Sequence, residues 1–504
     1  MLTQSLFDQG PPAPCPSPFN MAEYVLAAGV TRPDHPALEV LGKTSSILSH
    51  AELRARVLAT AGGLRGLGLP DGARLLLRVG NEARFPILYL GAIAAGYVPV
   101  PTSTQLTVPE VQYLIDDLEP ALTLFGDGVA RLDTPSLSPD EVAGLETSAP
   151  IAPLMGDPNR LAYIIYTSGT SGKPRAVAHA HRAIWARRMM WDGWYGLNSE
   201  DRLLHAGAFN WTYTLGTGLM DPWAIGATAL IPEPGTDPTD LGDLLAQHKA
   251  TIFAASPGIY RQLLKGATRL YLPSLRHGLS AGEKLPHAVA TQWTATTGTH
   301  VYEALGMSEI STFISTAPGH SPPFGVTGRP QNGRRIAVLE PKTKAIQPLD
   351  TPGILAVHRD DPGLMLGYRN ASEDMASKLH ENWFLTGDTV KMDAGAHVTY
   401  LGRDDDMMNA GGYRVSPIEV ETVLNAHPDI REAAAVAVEV RPGVFVIAAA
   451  YCAAYDLEEA VLRDWCSARL ARYKTPRLFR RTEALPKGAN NKLQRARLRA
   501  DWTL

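Results

Sequence analysis

Thr167, Ser168, Gly169, Thr170, Ser171, Gly172 and Lys173 gather four hydroxyls, two glycines and a mobile positive charge into one short run, closed by Pro174 and Arg175. Glycines let backbone N–H groups approach an anion closely, hydroxyls add donors, and a lysine adds charge. The chemistry such a run supports is the cradling of phosphates, and a triphosphate is the natural guest. The apolar stretch Leu161, Ala162, Tyr163, Ile164 and Ile165 ahead of it predicts a buried strand, so the run is expected to be a loop fed by that strand. It is not the loop of a kinase or motor NTPase. That pattern needs glycine where Thr167 stands and Ser or Thr where Pro174 stands.

Other residues with chemical potential follow in order. Ser280-Ala281-Gly282-Glu283 and Glu303-Ala304-Leu305-Gly306-Met307-Ser308-Glu309 each run from extended chain into a glycine-containing loop. Loops at the carboxyl ends of parallel strands are where open α/β sheets place ligands. Thr386-Gly387-Asp388, Gly402-Arg403-Asp404-Asp405, Gly411-Gly412-Tyr413-Arg414 and Lys492-Leu493-Gln494-Arg495 complete the series.

This series, from the Tyr166–Arg175 run to Lys492, resembles the ordered motifs of adenylate-forming enzymes, the superfamily of acyl- and aryl-CoA synthetases, luciferases and peptide-synthetase adenylation domains. The resemblance spans about residues 53–495. Tyr302 to Ser315 is most similar to benzoate-type and medium-chain acyl-CoA ligases. It implies an AMP-forming ligase that joins a small carboxylate to coenzyme A at the expense of ATP, with Mg²⁺ as the metal. By the resemblance, Thr167 to Lys173 hold the phosphates, and Ser308 and Glu309 meet phosphate and metal. Lys492 is the lysine that acts during adenylation, although Asn490-Asn491 replaces the usual Ser-Gly before it. Ala281, Gly282, Glu283, Glu303, Ala304, Asp388 and Arg403 would line adenine and ribose. Trp211, Tyr213, Leu305 and Gly306 would line the carboxylate pocket, with Gly306 implying a cavity deeper than acetate needs. Gly411, Gly412 and Tyr413 would line the coenzyme A passage, and Asp405 would be a hinge. A homodimer is compatible with it. The alternatives are transfer of the acyl group to a carrier protein or an amine, and a catalytically lapsed nucleotide-binding homologue.

The elements that must position these residues alternate. Asn20 caps a helix through Leu26, and Ser49 with Glu52 forms a capping box that opens another. Arg74 to Val79 reads as a strand, Asn81 starts the next helix, and the chain returns to strand near Val98. This rhythm predicts an α/β fold, a large domain of parallel-rich sheets covered by helices. A small mobile α+β domain would follow, with residues 1–402 and 403–504 as the two parts.

Composition agrees with that class. With 504 residues the chain exceeds one ordinary core. A net charge of -4, from 47 basic and 51 acidic residues, gives no reason to expect nucleic acid or an anionic membrane as partner. Three scattered cysteines suit neither a disulfide framework nor a metal cluster, and a cytoplasmic setting is expected. The apolar stretches near residues 88–100 and 444–452 are too short to span a bilayer. The first twenty residues lack the basic start and apolar core of a secretory signal.

Overall fold

The computed structural model describes residues 1–42, 46–168, 174–267, 269–320, 323, 325–403, 406–410, 413–441, 444–488 and 493–502. Two compact units emerge. One comprises Asp8–Arg335 and His358–Asn382, and the other Met1–Phe7, Ile336–Val357 and Trp383–Leu504.

The larger unit is built on a nine-stranded sheet. Its six inner strands, Pro36–Leu41, Thr228–Pro232, Arg202–His205, Ile252–Ala255, His277–Ala281 and His300–Met307, are all parallel. Ser46–Ser49 closes one edge antiparallel, and Ser311–Ser315 with Arg329–Pro330 closes the other. A second, four-stranded parallel sheet pairs Arg74–Arg78 with Val98–Pro101 and Leu122–Phe125, and Leu122–Phe125 with Ser136–Leu137. The expected α/β class is therefore present.

Helices fill the faces because their sequences demand burial. Arg84–Ala94 is apolar all round and is buried from Phe85 to Ala94, as such a helix must be. His50–Gly66 opens with the expected capping box, Ser49 Oγ accepting from Glu52 N and the Glu52 carboxylate accepting from Ser49 N at 2.8 Å. Asn20 caps Met21–Val25 as its type suggests. Asn81 does not cap. Its amide donates to Gly207 O and accepts from Phe209 N, both at 2.9 Å, and the helix starts at Arg84 after Ala83. Satisfying two backbone groups from a distant loop outweighs one cap.

The smaller unit holds a sheet in the order Leu6–Phe7, Ile336–Leu339, Gly353–His358, Trp383–Met392, with Val398–Arg403 on the last strand. A three-stranded sheet, Glu432–Arg441, Val444–Cys452 and Leu478–Arg481, carries helices Pro417–Asn425 and Glu459–Ser467 against one apolar cluster and Arg495–Ala500 against another. The packing boundary thus includes residues 336–357 and 383–402 with the C-terminal segment. No helix among the described residues is long and apolar enough to cross a membrane. All three cysteines are free.

Candidate active site

The hydroxyl- and glycine-rich run joins two antiparallel strands, Leu161–Ser168 and Pro174–Ala180, whose last register pairs are Thr167 with Arg175 and Ser168 with Pro174. The two strands form a hairpin stem. Gly169, Thr170, Ser171, Gly172 and Lys173 lie outside the described residues. The stem is fixed by polar contacts: Tyr166 OH donates to Asp117 Oδ2 at 2.6 Å, and Arg175 pairs with Asp374 at 2.8 Å. A third strand, Gly367–Tyr368, pairs with the stem through Tyr368 and Val177.

Tyr368 links the stem to Glu309. Its hydroxyl donates to Glu309 Oε1 at 2.5 Å. Ser308 and Glu309 sit at the turn between His300–Met307 and Ser311–Ser315, so this turn is held beside the stem of the first hairpin. Met365 N donates to Glu309 O at 2.8 Å, and His179 Nε2 to Ser308 O at 2.7 Å. A carbonyl only accepts, so the proton is on Nε2. Burial pushes the His179 pKa down to about 4, which keeps the ring neutral.

The donor set at Glu309 suits Mg²⁺. Among the described residues no group of three or more His, Cys, Asp or Glu could hold a metal, so no all-protein cage exists there. Mg²⁺ binds through one or two carboxylates, with phosphate oxygens and water completing its shell. Glu309 is half-buried and can provide that single carboxylate.

Ala281 is the last residue of its strand, and Gly282 follows in the left-handed region at φ +92°. No atom lies within 4 Å of a Cβ built at Gly282, so conformation alone selects glycine there. Glu303 pairs with Ser280 and Ala304 with Ala281 on the next strand. The Glu303 carboxylate accepts from Leu285 N at 2.9 Å, and burial raises its pKa to about 7. A carboxyl protonated longer in the native than in the unfolded chain contributes stability below its unfolded pKa and loses it as pH rises through about 7. Glu303→Gln should therefore flatten the fall in melting temperature between pH 5 and pH 8, measured by calorimetry.

Tyr213 joins the apolar cluster that contains Ala281 and Ala304, with Trp194 stacked at 5.8 Å and His205 edge-on at 4.4 Å. Its hydroxyl donates to Leu279 O at 3.1 Å. Trp211 lies two residues earlier and is half-buried, as are Leu305 and Gly306. Gly306 has a packing role that the sequence did not reveal. A Cβ there would lie 2.6 Å from Ser311 O and 2.7 Å from Thr312 Cα, at a shift of register between the two strands. Gly306→Ala is expected to cost about 1–3 kcal/mol of stability through overpacking, measured by denaturant titration.

The smaller unit assembles its own group. Asp388 and Arg403 face each other across antiparallel strands, Arg403 Nη1 donating to Asp388 Oδ1 at 3.3 Å and to Thr386 O at 3.2 Å. Tyr400 OH reaches the same carboxylate oxygen at 3.4 Å. Gly387, at φ +81°, lets the strand pass Arg403, since a Cβ would sit 2.9 Å from its Nη2. Asp388 is buried, and its carboxylate has the two acceptor oxygens that vicinal hydroxyls need. Tyr413 begins the strand Tyr413–Val415, paired with Met408–Ala410. Asp405, Gly411, Gly412 and Lys492 lie outside the described residues. Three positions past Lys492, Arg495 grips Glu421 at 2.7 Å and Asp406 at 3.4 Å. Lys487, the other lysine of this stretch, is paired with Glu432 at 2.6 Å.

His179 and Tyr368 escaped the sequence reading because no spacing marks them, whereas Arg495 closes the Lys492-Leu493-Gln494-Arg495 motif.

Comparison with known proteins gives a consistent answer. The chain is 29% identical to 3-hydroxybenzoate–CoA ligase of Aromatoleum sp. (strain CIB), over 94% of each chain. It is 29% identical to benzoate–CoA ligase of Thauera aromatica, over 90% of each. The structure of ATP-bound MatB from Rhodopseudomonas palustris superposes with a TM-score of 0.88 at 26% identity, covering 96% of this chain and 99% of that one. A benzoate CoA ligase from Burkholderia xenovorans LB400 gives 0.84 at 27%, covering 95% and 100%. The family model described as AMP-binding enzyme matches residues 27–369, and that described as AMP-binding enzyme C-terminal domain matches residues 419–492. The chain is a member of the AMP-binding enzyme family.

Proposed function

We propose that this protein is an ATP-dependent carboxylate–CoA ligase. The carboxylate oxygen attacks the α-phosphorus of ATP, the bond to the bridging oxygen breaks, and pyrophosphate leaves from an acyl-adenylate. The thiol of coenzyme A then adds at the acyl carbon, loses its proton and expels AMP. The observation that carries the reading is Glu309 held by Tyr368 beside the stem of the phosphate cradle.

In this reading Thr167, Ser168, Gly169, Thr170, Ser171, Gly172 and Lys173 hold the departing pyrophosphate portion, with Ser308 donating to phosphate and Lys492 adding charge during adenylation. Glu309 would hold Mg²⁺, which when bound neutralises phosphate charge. Ala281, Gly282, Glu283, Glu303 and Ala304 border adenine, and Asp388 with Arg403 takes the ribose. Trp211, Tyr213, Leu305 and Gly306 bound a pocket for an aryl or medium acyl acid. Gly411, Gly412 and Tyr413 line the passage for the pantetheine arm, and residues from 403 onward turn about Asp405 between half-reactions. Catalysis is by placement and charge stabilisation, with no covalent enzyme intermediate. The cytoplasm is the expected compartment, and a homodimer fits the reading.

Pyrophosphate exchange with a panel of benzoates and C4–C10 acids, followed by thioester detection with coenzyme A, tests it. Exchange dependent on one class of acid and thioester formation are expected. No exchange with any acid would refute adenylation, and exchange without thioester would point to a carrier or an amine as acceptor.

A further inference from the structure

A buried ion pair lies behind the Ser308–Glu309 tip. Arg187 and Asp221, 34 positions apart, are 7% and 1% exposed at their side chains and meet at 2.6 Å. Arg187 Nε reaches both Asp221 oxygens at 3.0 Å, Nη2 donates to Tyr195 OH at 3.0 Å and Thr217 Oγ1 at 3.2 Å, and Tyr195 OH donates to Asp221 Oδ2 at 2.8 Å. The remaining arm, Nη1, donates to Ser311 Oγ at 2.5 Å. Every polar group of the pair is thus committed to one geometry.

Ser311 is where that geometry matters. It closes the hairpin that carries Ser308 and Glu309, and it does so at φ +79°, a region that a side chain enters only at a cost on the order of 1–3 kcal/mol. A cavity of about 20 Å³, room for one water, is bordered by Tyr163, His179, Arg187, Ser308 and Ser311. A strained turn over a void will relax unless something polar holds it. His179 and Met365 tether the carbonyls of Ser308 and Glu309, and among the described residues only the guanidinium holds the strained residue's side chain. A buried ion pair is weak evidence for stability, since burying two charges costs about what their attraction returns. Its retention here needs another reason.

We propose that Arg187, oriented by Asp221, is a positioning residue that holds Ser311 in its left-handed conformation and thereby sets the register of Ser308 and Glu309 for adenylation. Neither residue touches substrate in the ligase reading, on which this inference rests. Misplacing a catalytic group by about 1 Å can cost on the order of 10²-fold in rate.

The test removes both charges together, Arg187→Met with Asp221→Leu, because a lone buried charge would unfold the chain while a paired apolar exchange need not. Pyrophosphate exchange should fall by about 10²-fold in kcat, with KM for ATP little changed, while thioester formation from supplied acyl-adenylate persists. Adding Ser311→Gly, which takes a positive φ freely, should restore part of the exchange rate. Ser311→Ala, with the ion pair intact, is the control should the double variant misfold, and it should show the same selective loss. Exchange at the wild-type kcat in either variant would overturn the proposal. So would equal loss of both half-reactions without recovery on adding Ser311→Gly. Wild-type protein is assayed alongside, and absence of exchange there would instead refute the ligase reading itself.

Discussion

Lys492→Ala is expected to lower pyrophosphate exchange by about 10²–10³-fold, while thioester formation from a supplied acyl-adenylate continues close to the wild-type rate. Removing one group aimed at charge developing in a transition state typically costs that much in kcat. In the ligase reading the residues from 403 onward turn about Asp405 between half-reactions and carry Lys492 away from the phosphates, so the second should not feel the loss. The neighbours of Lys492 support the choice of lysine. Arg495 is anchored to Glu421 and Asp406, which ties down the segment just after Lys492. Lys487 is committed to Glu432 at 2.6 Å, and Lys487→Ala should leave exchange nearly intact. Separate assays of the two half-reactions on both variants decide the matter. Equal loss of both half-reactions in Lys492→Ala would sink the assignment, and selective loss in Lys487→Ala would transfer the role.

Asp388→Ala is expected to raise KM for ATP by about 10- to 100-fold, with KM for the acid little affected. Hydrogen bonds to a charged group contribute about 1.5–3 kcal/mol, and each 1.4 kcal/mol is about tenfold in affinity. The carboxylate is buried and already oriented by Arg403 and Tyr400, so little freedom remains to be lost on binding a ribose. Asp388→Asn keeps the shape and one acceptor but removes the charge, and should fall between wild type and alanine. Initial-rate kinetics with ATP and with 2′- and 3′-deoxy-ATP separate ribose recognition from a general defect. If the deoxy analogues are bound as well as ATP by the wild type, the ribose role is lost.

The strongest local signals were those confined to a few residues. The capping box of Ser49 and Glu52 and the cap of Asn20 depend on atoms three positions apart or fewer, and both are present. Alternating strand and helix patterns also sufficed for the α/β class, because burial of each face follows from the period of its apolar residues. The order of the motifs was enough to name the family, which the family models independently match over residues 27–369 and 419–492.

Asn81 marks where such reasoning stops. Its type and place suit a helix cap, but two backbone groups at Gly207 and Phe209 claim it from 126 and 128 positions away. Gly306 read as space for substrate, whereas the neighbouring strand also requires the missing side chain. The strand ending at Arg403 pairs with Trp383–Met392, and packing gathers both with the C-terminal segment, a grouping that short-range spacing does not express.

By itself, then, the sequence determined which residue types were available for phosphate, ribose and acid, and in what order, since these depend on composition and short spacing. Only the tertiary structure decided that Tyr368 reaches Glu309, that His179 donates to Ser308, and that a buried Arg187–Asp221 pair stands behind Ser311. Those contacts join residues 34 to 129 positions apart, and no periodicity in a chain specifies which distant partners the packed sheets will bring within 3 Å.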